Sequence, residues 1–275
     1  MRRSRSLFGS RLNGDRRDFL MKILVTAGNT LVPIDQVRCI TNIFTGRTGT
    51  RIALESRERG HDVSLLTSHP EVVKELAGGS LPETDRWRVR PYRTFADLQQ
   101  LMEREIVSGD YDAVIHVAAV SDYAVSGTYS LPLDASFDVK SRQLGYHALP
   151  LRMVDASAGK VKSNHSELWL RLTPTPKLVD LIRRPWGFRG VLVKFKLEVN
   201  VTETALKSIA EASRQHSQAD FIVANTLDGM PSWALIGSER GFIKIPRDEL
   251  ASYLMQESVL SSPRVSQSSR AFVPC

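Results

Sequence analysis

The chain has 275 residues, 42% hydrophobic and 24% charged, the balance of a soluble globular protein long enough to bury a sizeable core. No run of about 18 apolar residues is present, which excludes a transmembrane helix. Two cysteines, Cys39 and Cys275, lie far apart with no His or Cys cluster around them, which argues against a disulfide framework or a structural zinc and fits a reducing cytoplasm.

The net charge of +7 invites a nucleic-acid partner, but its distribution argues against one. Arg2, Arg3, Arg5, Arg11, Arg16 and Arg17, set against Asp15 and Asp18, place +4 of that charge in the first twenty residues. Residues 1–20 therefore read as a solvated, disordered basic tail without the apolar stretch of a signal peptide. Met21 directly precedes the first strand, so a start at that position also stays open.

From Met21 the pattern alternates. Residues 22–26 read as a buried strand, 46–60 as a helix stopped at Gly60, and 63–67 as a second strand. Residues 94–108 carry Phe95, Leu98, Met102 and Ile106 at helical spacing, and 113–118 form another buried strand. Residues 124–158 break the alternation with Gly127, Ser130, Pro132, Gly145 and Pro150, and read as a mobile or substrate-facing loop. The alternation then resumes: strand 167–172, helix 176–184, strand 191–197, helix 202–216 and strand 221–225. Residues 233–237 and 242–245 predict a hairpin turning at Ser238 to Gly241, followed by a helix over 247–256 and a polar tail over 257–275. The fold class expected is α/β, a doubly wound, Rossmann-like parallel sheet with a C-terminal β-hairpin extension, forming one domain over 21–256.

Such sheets bind ligands beyond the carboxyl ends of their strands, and four segments at or near such ends hold the unusual polar residues. Gly28, Asn29 and Thr30 follow the first strand, where exposed N–H groups suit phosphate, although no GxGxxG is present. Residues 38–49 hold Arg38, Asn42, two glycines and three threonines and can cradle an anion, without the Lys-Ser/Thr ending of a P-loop. Ala118 to Tyr123 place Asp122 past the central strand, to accept from a ribose or base, hold a metal, or cap a turn. Lys160 and Lys162 alternate on a short extended segment, which suits a triphosphate and equally a lysine-guarded edge strand; Thr173, Pro174, Thr175 and Pro176 follow the next strand.

Taken in order, these blocks resemble the phosphopantothenate–cysteine ligase family. The resemblance rests on VTAGNT at 25–30, PIDQVRCITNIFTGRTG at 33–49, AAVSDY at 118–123, KVKS at 160–163, ELWLRL at 167–172, TPK at 175–177, FKLE at 195–198 and ADFIVAN at 219–225. It runs from Met21 to about residue 256 and covers the ligase part only. With twenty residues ahead of it, the expectation is a free-standing ligase without a flavin. The resemblance implies that the carboxylate of 4′-phosphopantothenate attacks the α-phosphorus of CTP or ATP, that pyrophosphate leaves, and that the amine of cysteine then takes the acyl group. Asn42 matches the family asparagine that holds the acyl intermediate, and Lys160 the lysine that contacts the triphosphate. Gly28, Asn29, Thr30, Ala118, Asp122, Thr173, Pro174, Thr175, Pro176 and Phe195 correspond to nucleotide-binding positions, and Arg38 to the substrate phosphate. Mg2+ is the implied cofactor, with no metal-ligating residue assigned. The implied partners are small molecules and a second copy of the chain.

The sequence departs from the family at Asn29 and Phe44, and residues 210–220 lack the lysines that members place before the last parallel strand, leaving Arg214 or Lys207 as substitutes. Two alternatives stay open on the residues alone: a nicotinamide-dependent oxidoreductase and a non-catalytic nucleotide-binding protein.

Overall fold

The computed structural model describes residues 20–145 and 152–259. The tails expected at 1–20 and 257–275 lie almost entirely outside these residues. In chain order the elements begin with β1 (Lys22–Ala27), β2 (Leu31–Pro33), β3 (Cys39–Thr41), α1 (Arg47–Glu58), β4 (Asp62–Thr67), α2 (Pro70–Leu76), β5 (Trp87–Pro91), α3 (Phe95–Ser108) and β6 (Ala113–His116). They continue with β7 (Tyr123–Ser130), β8 (Ser136–Asp138), β9 (Gln143–Gly145), β10 (Val154–Asp155), β11 (Trp169–Pro174) and α4 (Leu178–Arg183). The last are β12 (Val191–Glu198), α5 (Glu203–His216), β13 (Phe221–Thr226), β14 (Trp233–Ser238), β15 (Gly241–Pro246) and α6 (Leu250–Tyr253).

The eight-stranded sheet runs β15-β14-β13-β12-β6-β1-β4-β5. Its six strands from β13 to β5 are parallel, and β14 and β15 add antiparallel at one edge as the expected hairpin. The strands are apolar on both faces because both faces are covered. On β1, Ile23, Val25 and Ala27 pack with Ile52 and Ala53 of α1, whereas Leu24 points the other way to Leu98 and Met102 of α3. The same split holds on β12, where Val191 and Val193 face the first cluster and Leu192 the second. Burying each such side chain contributes roughly 1.5–3 kcal/mol, so this two-sided run is the main source of cohesion.

Three expectations need correction. Residues 124–158 are not a structureless loop: β7 pairs with β11 and β10 in a three-stranded antiparallel sheet, and β8 pairs with β9. Its strand character was hidden because β7 buries Thr128 and Ser130, so no apolar alternation marks it. The leucine-alternating strand belongs to this small sheet and not to the main one, and Leu172 stays half-exposed beside a bulge at Arg171/Leu172. The final helix is shorter than expected, giving way after Tyr253 to a π-helical stretch, Leu254–Val259.

Candidate functional site

The chain places β4 and β5 on one side of β1, then returns to place β6, β12 and β13 on the other. The strand order therefore reverses between β1 and β6, and a crevice opens beyond their carboxyl ends. Two turns meet there. Asn29 and Ala119 form a parallel bridge, and Ala119 N donates to Gly28 O at 2.8 Å.

A buried hydroxyl anchors this floor. Thr26 Oγ1 accepts from the N–H groups of Val117 and Ala118, both at 3.2 Å, and lies 2.9 Å from His116 Nδ1. Burial first, and the charge of Lys194 second, push His116 down to about 4. Its imidazole is then neutral near pH 7, and with the proton on Nε2 its Nδ1 accepts from the Thr26 hydroxyl. Lys194 is itself buried, with Nζ held by Ser213 O at 3.0 Å and Ser217 Oγ at 2.6 Å.

The loop between β3 and α1 forms one wall. Gly46, at φ 81, caps α1 and lies against the turn at Gly28, φ 93. A Cβ on Gly46 would stand 2.3 Å from Gly28 N, and one on Gly28 would stand 2.1 Å from Ser68 Oγ. Only glycines permit this backbone contact. The amide of Asn29 ties the wall down, with Nδ2 donating to Asn42 O at 2.6 Å while its Oδ1 accepts from Ser68 Oγ at 3.2 Å.

Two neighbouring cavities line up along residues 117–123, the larger on Val117, Ala118 and Ala119 and the smaller on Val120 to Tyr123. The larger, about 340 Å³, gathers Gly28, Ala118 and Phe195 of the expected nucleotide residues. The smaller, about 290 Å³, gathers Asn42 and Asp122 with Ser121, Tyr123 and Leu172. Asn42 is fixed by Nδ2 donating to Ala119 O at 3.0 Å, which leaves its second side-chain N–H and its side-chain oxygen Oδ1 without a protein partner among the described residues. Thr30 and Asn29 are buried, and their side chains serve as internal struts: Thr30 Oγ1 accepts from Ser121 N at 2.8 Å. Thr173 and Pro174 pair across the small sheet with Ala124 and Tyr123. Thr175 Oγ1 donates to Ser121 O at 2.7 Å, and Pro176 leads to Lys177, whose ammonium pairs with the exposed Asp122.

Arg38 and the loop that carries Lys160 meet through Asp35. The Asp35 carboxylate accepts from Val161 N at 3.0 Å, from Val37 N at 2.8 Å, and from the backbone and guanidinium of Arg38. These donors, Val161 foremost, hold it far below the usual carboxylate range. Arg38 also donates to Val161 O, and Gln36 N to Gly159 O at 3.0 Å. Lys160 and Lys162 thus lie in a loop around the buried Val161, and not on the extended strand segment expected. Lys160 has no ion-pair partner among the described residues. Replacing Asp35 by Ala is expected to free this loop: trypsin should cut after Lys160 or Lys162 at least about tenfold faster, with global stability little changed. An unchanged cleavage rate would show that Asp35 does not hold it.

Reading the sequence missed Lys196, Asn225, Met230 and Arg247, which also line the larger cleft. Lys196 and Asn225 sit in the FKLE and ADFIVAN blocks and were within reach; Met230 and Arg247 carry no motif. Lys207, one substitute offered for the absent helix lysines, is bound to Glu203 at 2.8 Å, and Arg214, the other, to Glu211 at 2.7 Å.

A family model described as the DNA/pantothenate metabolism flavoprotein C-terminal domain matches residues 20–131. A coenzyme A biosynthesis bifunctional protein, CoaBC, of Thermococcus kodakarensis is 31% identical over 246 residues, which cover 86% of this chain and 50% of the relative. The chain spans half or less of the length of the curated relatives it matches. Among solved structures, the DNA/pantothenate metabolism flavoprotein from Streptococcus pneumoniae matches with a TM-score of 0.69 and 31% identity, covering 86% of this chain and 97% of that one. The C-terminal domain of a CoaBC protein shares the fold, with a TM-score of 0.58 and 19% identity over 87% of this chain and 94% of that one.

Proposed function

Because the chain belongs to the DNA/pantothenate metabolism flavoprotein C-terminal domain family, we propose that it is an enzyme of coenzyme A biosynthesis that joins 4′-phosphopantothenate to L-cysteine at the expense of a nucleoside triphosphate. The observation that carries this reading is the placement of Asn42. Its amide is pinned to Ala119 O at 3.0 Å, at the seam where the cleft holding Gly28, Ala118 and Phe195 adjoins the cavity holding Asp122. A nucleotide in the larger cleft and an acid in the smaller would bring an α-phosphorus and a carboxylate together beside one fixed amide.

The proposed reaction has two steps. The carboxylate oxygen of 4′-phosphopantothenate attacks the α-phosphorus, and the bond to the bridging oxygen breaks, releasing pyrophosphate. The amine of cysteine then attacks the acyl carbon, loses a proton, and the nucleoside monophosphate leaves. Activation is needed because a free carboxylate is a poor acyl donor. Asn42 donates its remaining N–H to the oxygen on which charge develops, and holding the reactants in place does much of the rest. Lys160, on the loop clasped by Asp35, would supply charge to the phosphates, and Arg38, bonded to Val161 O of the same loop, would meet the substrate phosphate; both reach in from outside the described linings of the two cavities. The ring of Phe195 offers a flat apolar face for the base, and CTP is the nucleotide proposed, with ATP the alternative.

No group of three or more His, Cys, Asp or Glu side chains suited to a metal occurs among the described residues. Asp122 is the carboxylate among the described cavity-lining residues that could meet a magnesium ion carried by the phosphates, an ion that would shield phosphate charge.

The test is pyrophosphate release from the purified chain with 4′-phosphopantothenate, cysteine, magnesium, and CTP or ATP in turn. Release that requires 4′-phosphopantothenate, and that falls about 10²–10³-fold in kcat for Asn42→Ala, is expected. For Lys160→Ala a loss of at least about tenfold is expected, chiefly through the nucleotide. A folded protein that releases none with either nucleotide would sink the proposal.

A further inference from the structure

Three cations reach the larger cleft from elements far apart in the chain: Arg47 in the first turn of α1, Lys196 on β12, and Arg247 just beyond β15. No carboxylate lines the cleft among the described residues. Two of the three cations are engaged on their own elements or neighbours. Arg47 Nη1 donates to Glu75 at 2.7 Å, and Lys196 Nζ lies 2.9 Å from Glu198.

Arg247 differs. It has no carboxylate partner among the described residues. Its Nη2 donates to Thr48 Oγ1, while its Nη1 is buried with no hydrogen-bond partner. Its backbone is held, with the N–H donating to Ser232 O at 3.0 Å, so the side chain is aimed and not trailing. Burial, with Arg51 as a second cation nearby, works against its charged form, yet a guanidinium keeps its proton. A buried cationic N–H without an acceptor is costly, and a turn of the Arg247 guanidinium toward an anion in the cleft that it lines would relieve that cost. The adjacent end of α1 adds to the attraction, since no side chain caps it and no acidic residue stands in its first turn.

The direction of the cleft says which part of the ligand this is. Residues 43–48 line it as one continuous run, with Asn42 at one end and Thr48 at the other. Resting on the function proposed above, the phosphorus under attack lies toward Asn42, and the phosphates that depart lie toward Thr48. We infer that Arg247 is a binding residue for the leaving pyrophosphate half of the nucleotide, with Thr48 positioning its guanidinium. Arg247 thereby supplies phosphate-directed charge from beyond the C-terminal hairpin.

The experiment is calorimetric titration of the wild-type chain, Arg247→Gln and Arg247→Lys with CTP, CMP and inorganic pyrophosphate in magnesium. The Gln variant is expected to bind CTP and pyrophosphate about ten- to a hundredfold more weakly, with CMP within about twofold of wild type. Retained CMP binding also shows that the cleft is intact. The Lys variant keeps the charge but loses the planar fork, and is expected to lose at least about threefold for CTP with CMP unchanged; it carries the test if the Gln variant does not fold. In turnover, the rise in KM for the nucleotide should exceed the fall in kcat. Unchanged CTP affinity in either folded variant, or an equal loss for CTP and CMP, overturns the inference. A wild type that releases no pyrophosphate, yet shows the CTP-selective loss in Arg247→Gln, refutes the ligase reading and leaves Arg247 as a polyphosphate-binding residue.

Discussion

Gly46→Ala is expected to cost roughly 2–5 kcal/mol of stability and at least about a hundredfold in turnover. Two effects add. At φ 81 an alanine is strained by about 1–2 kcal/mol. The new methyl would also stand 2.3 Å from Gly28 N and 2.8 Å from Gly28 Cα, both backbone atoms that no rotamer change can move. Something must shift by around an ångström, and overpacking of that kind costs about 1–3 kcal/mol. The segments that shift are the two that carry Asn42 and Gly28, so the reacting groups separate, and misplacement on this scale costs about 10² in rate. Gly78→Ala separates the two effects. Gly78 has φ 70 but nothing within 4 Å of the added methyl, so it reports strain without collision. Urea unfolding of both variants, with pyrophosphate assays alongside, is the measurement. If Gly46→Ala were no less stable than Gly78→Ala and retained turnover, the contact between the two turns would not be what shapes the site.

The second large effect is a loss of stability in mild acid. His116 titrates at about 4 in the fold against 6.5 in the open chain. Between these values the unfolded chain takes up a proton that the folded chain refuses. The contribution is therefore fully present above pH 6.5, declines as pH falls toward 4, and is level below that; its size is roughly 3 kcal/mol. Protonation would also remove the acceptor for the Thr26 hydroxyl, which holds the N–H groups of Val117 and Ala118 at the site floor. His116→Gln keeps an acceptor near Thr26 but does not titrate. Urea unfolding of both proteins at steps from pH 7.5 to 4.5 should show the wild type losing about 2–3 kcal/mol more than the variant across that range. Parallel curves would place the acid sensitivity elsewhere.

The main sheet was legible because its strands are buried on both faces. Runs such as Ile23–Leu24–Val25 and Val191–Leu192–Val193 stay apolar at every position, and α3 shows its period through Leu98, Met102 and Ile106. The hairpin was legible from the Ser238 to Gly241 turn. The small sheet was not, because a strand that buries Thr128 and Ser130 while exposing Tyr123 follows no apolar period. The site divides in the same way. Gly28, Ala118 and Asp122 could be named because they follow strands, and in such a fold the strand ends are where ligands go, whereas Asn42 was named only through the family resemblance. The Asp35 clasp was not legible, since its partner Val161 lies 126 positions away and offers only a backbone N–H. Arg247 was invisible for a related reason: a lone arginine after a hairpin is unremarkable until the sheet order brings it against Thr48, 199 positions earlier.

The two outer strands of the eight-stranded sheet run in the same direction and are chemically alike. β5 carries Arg88 and Arg90 and stops at Pro91; β15 carries Lys244 and stops at Pro246. Charged side chains and a residue without an N–H make poor templates for another strand, so both borders resist growth of the sheet from one molecule into the next. The exposed Leu172 and Tyr123, by contrast, lie on the small antiparallel sheet, away from both of these guarded borders.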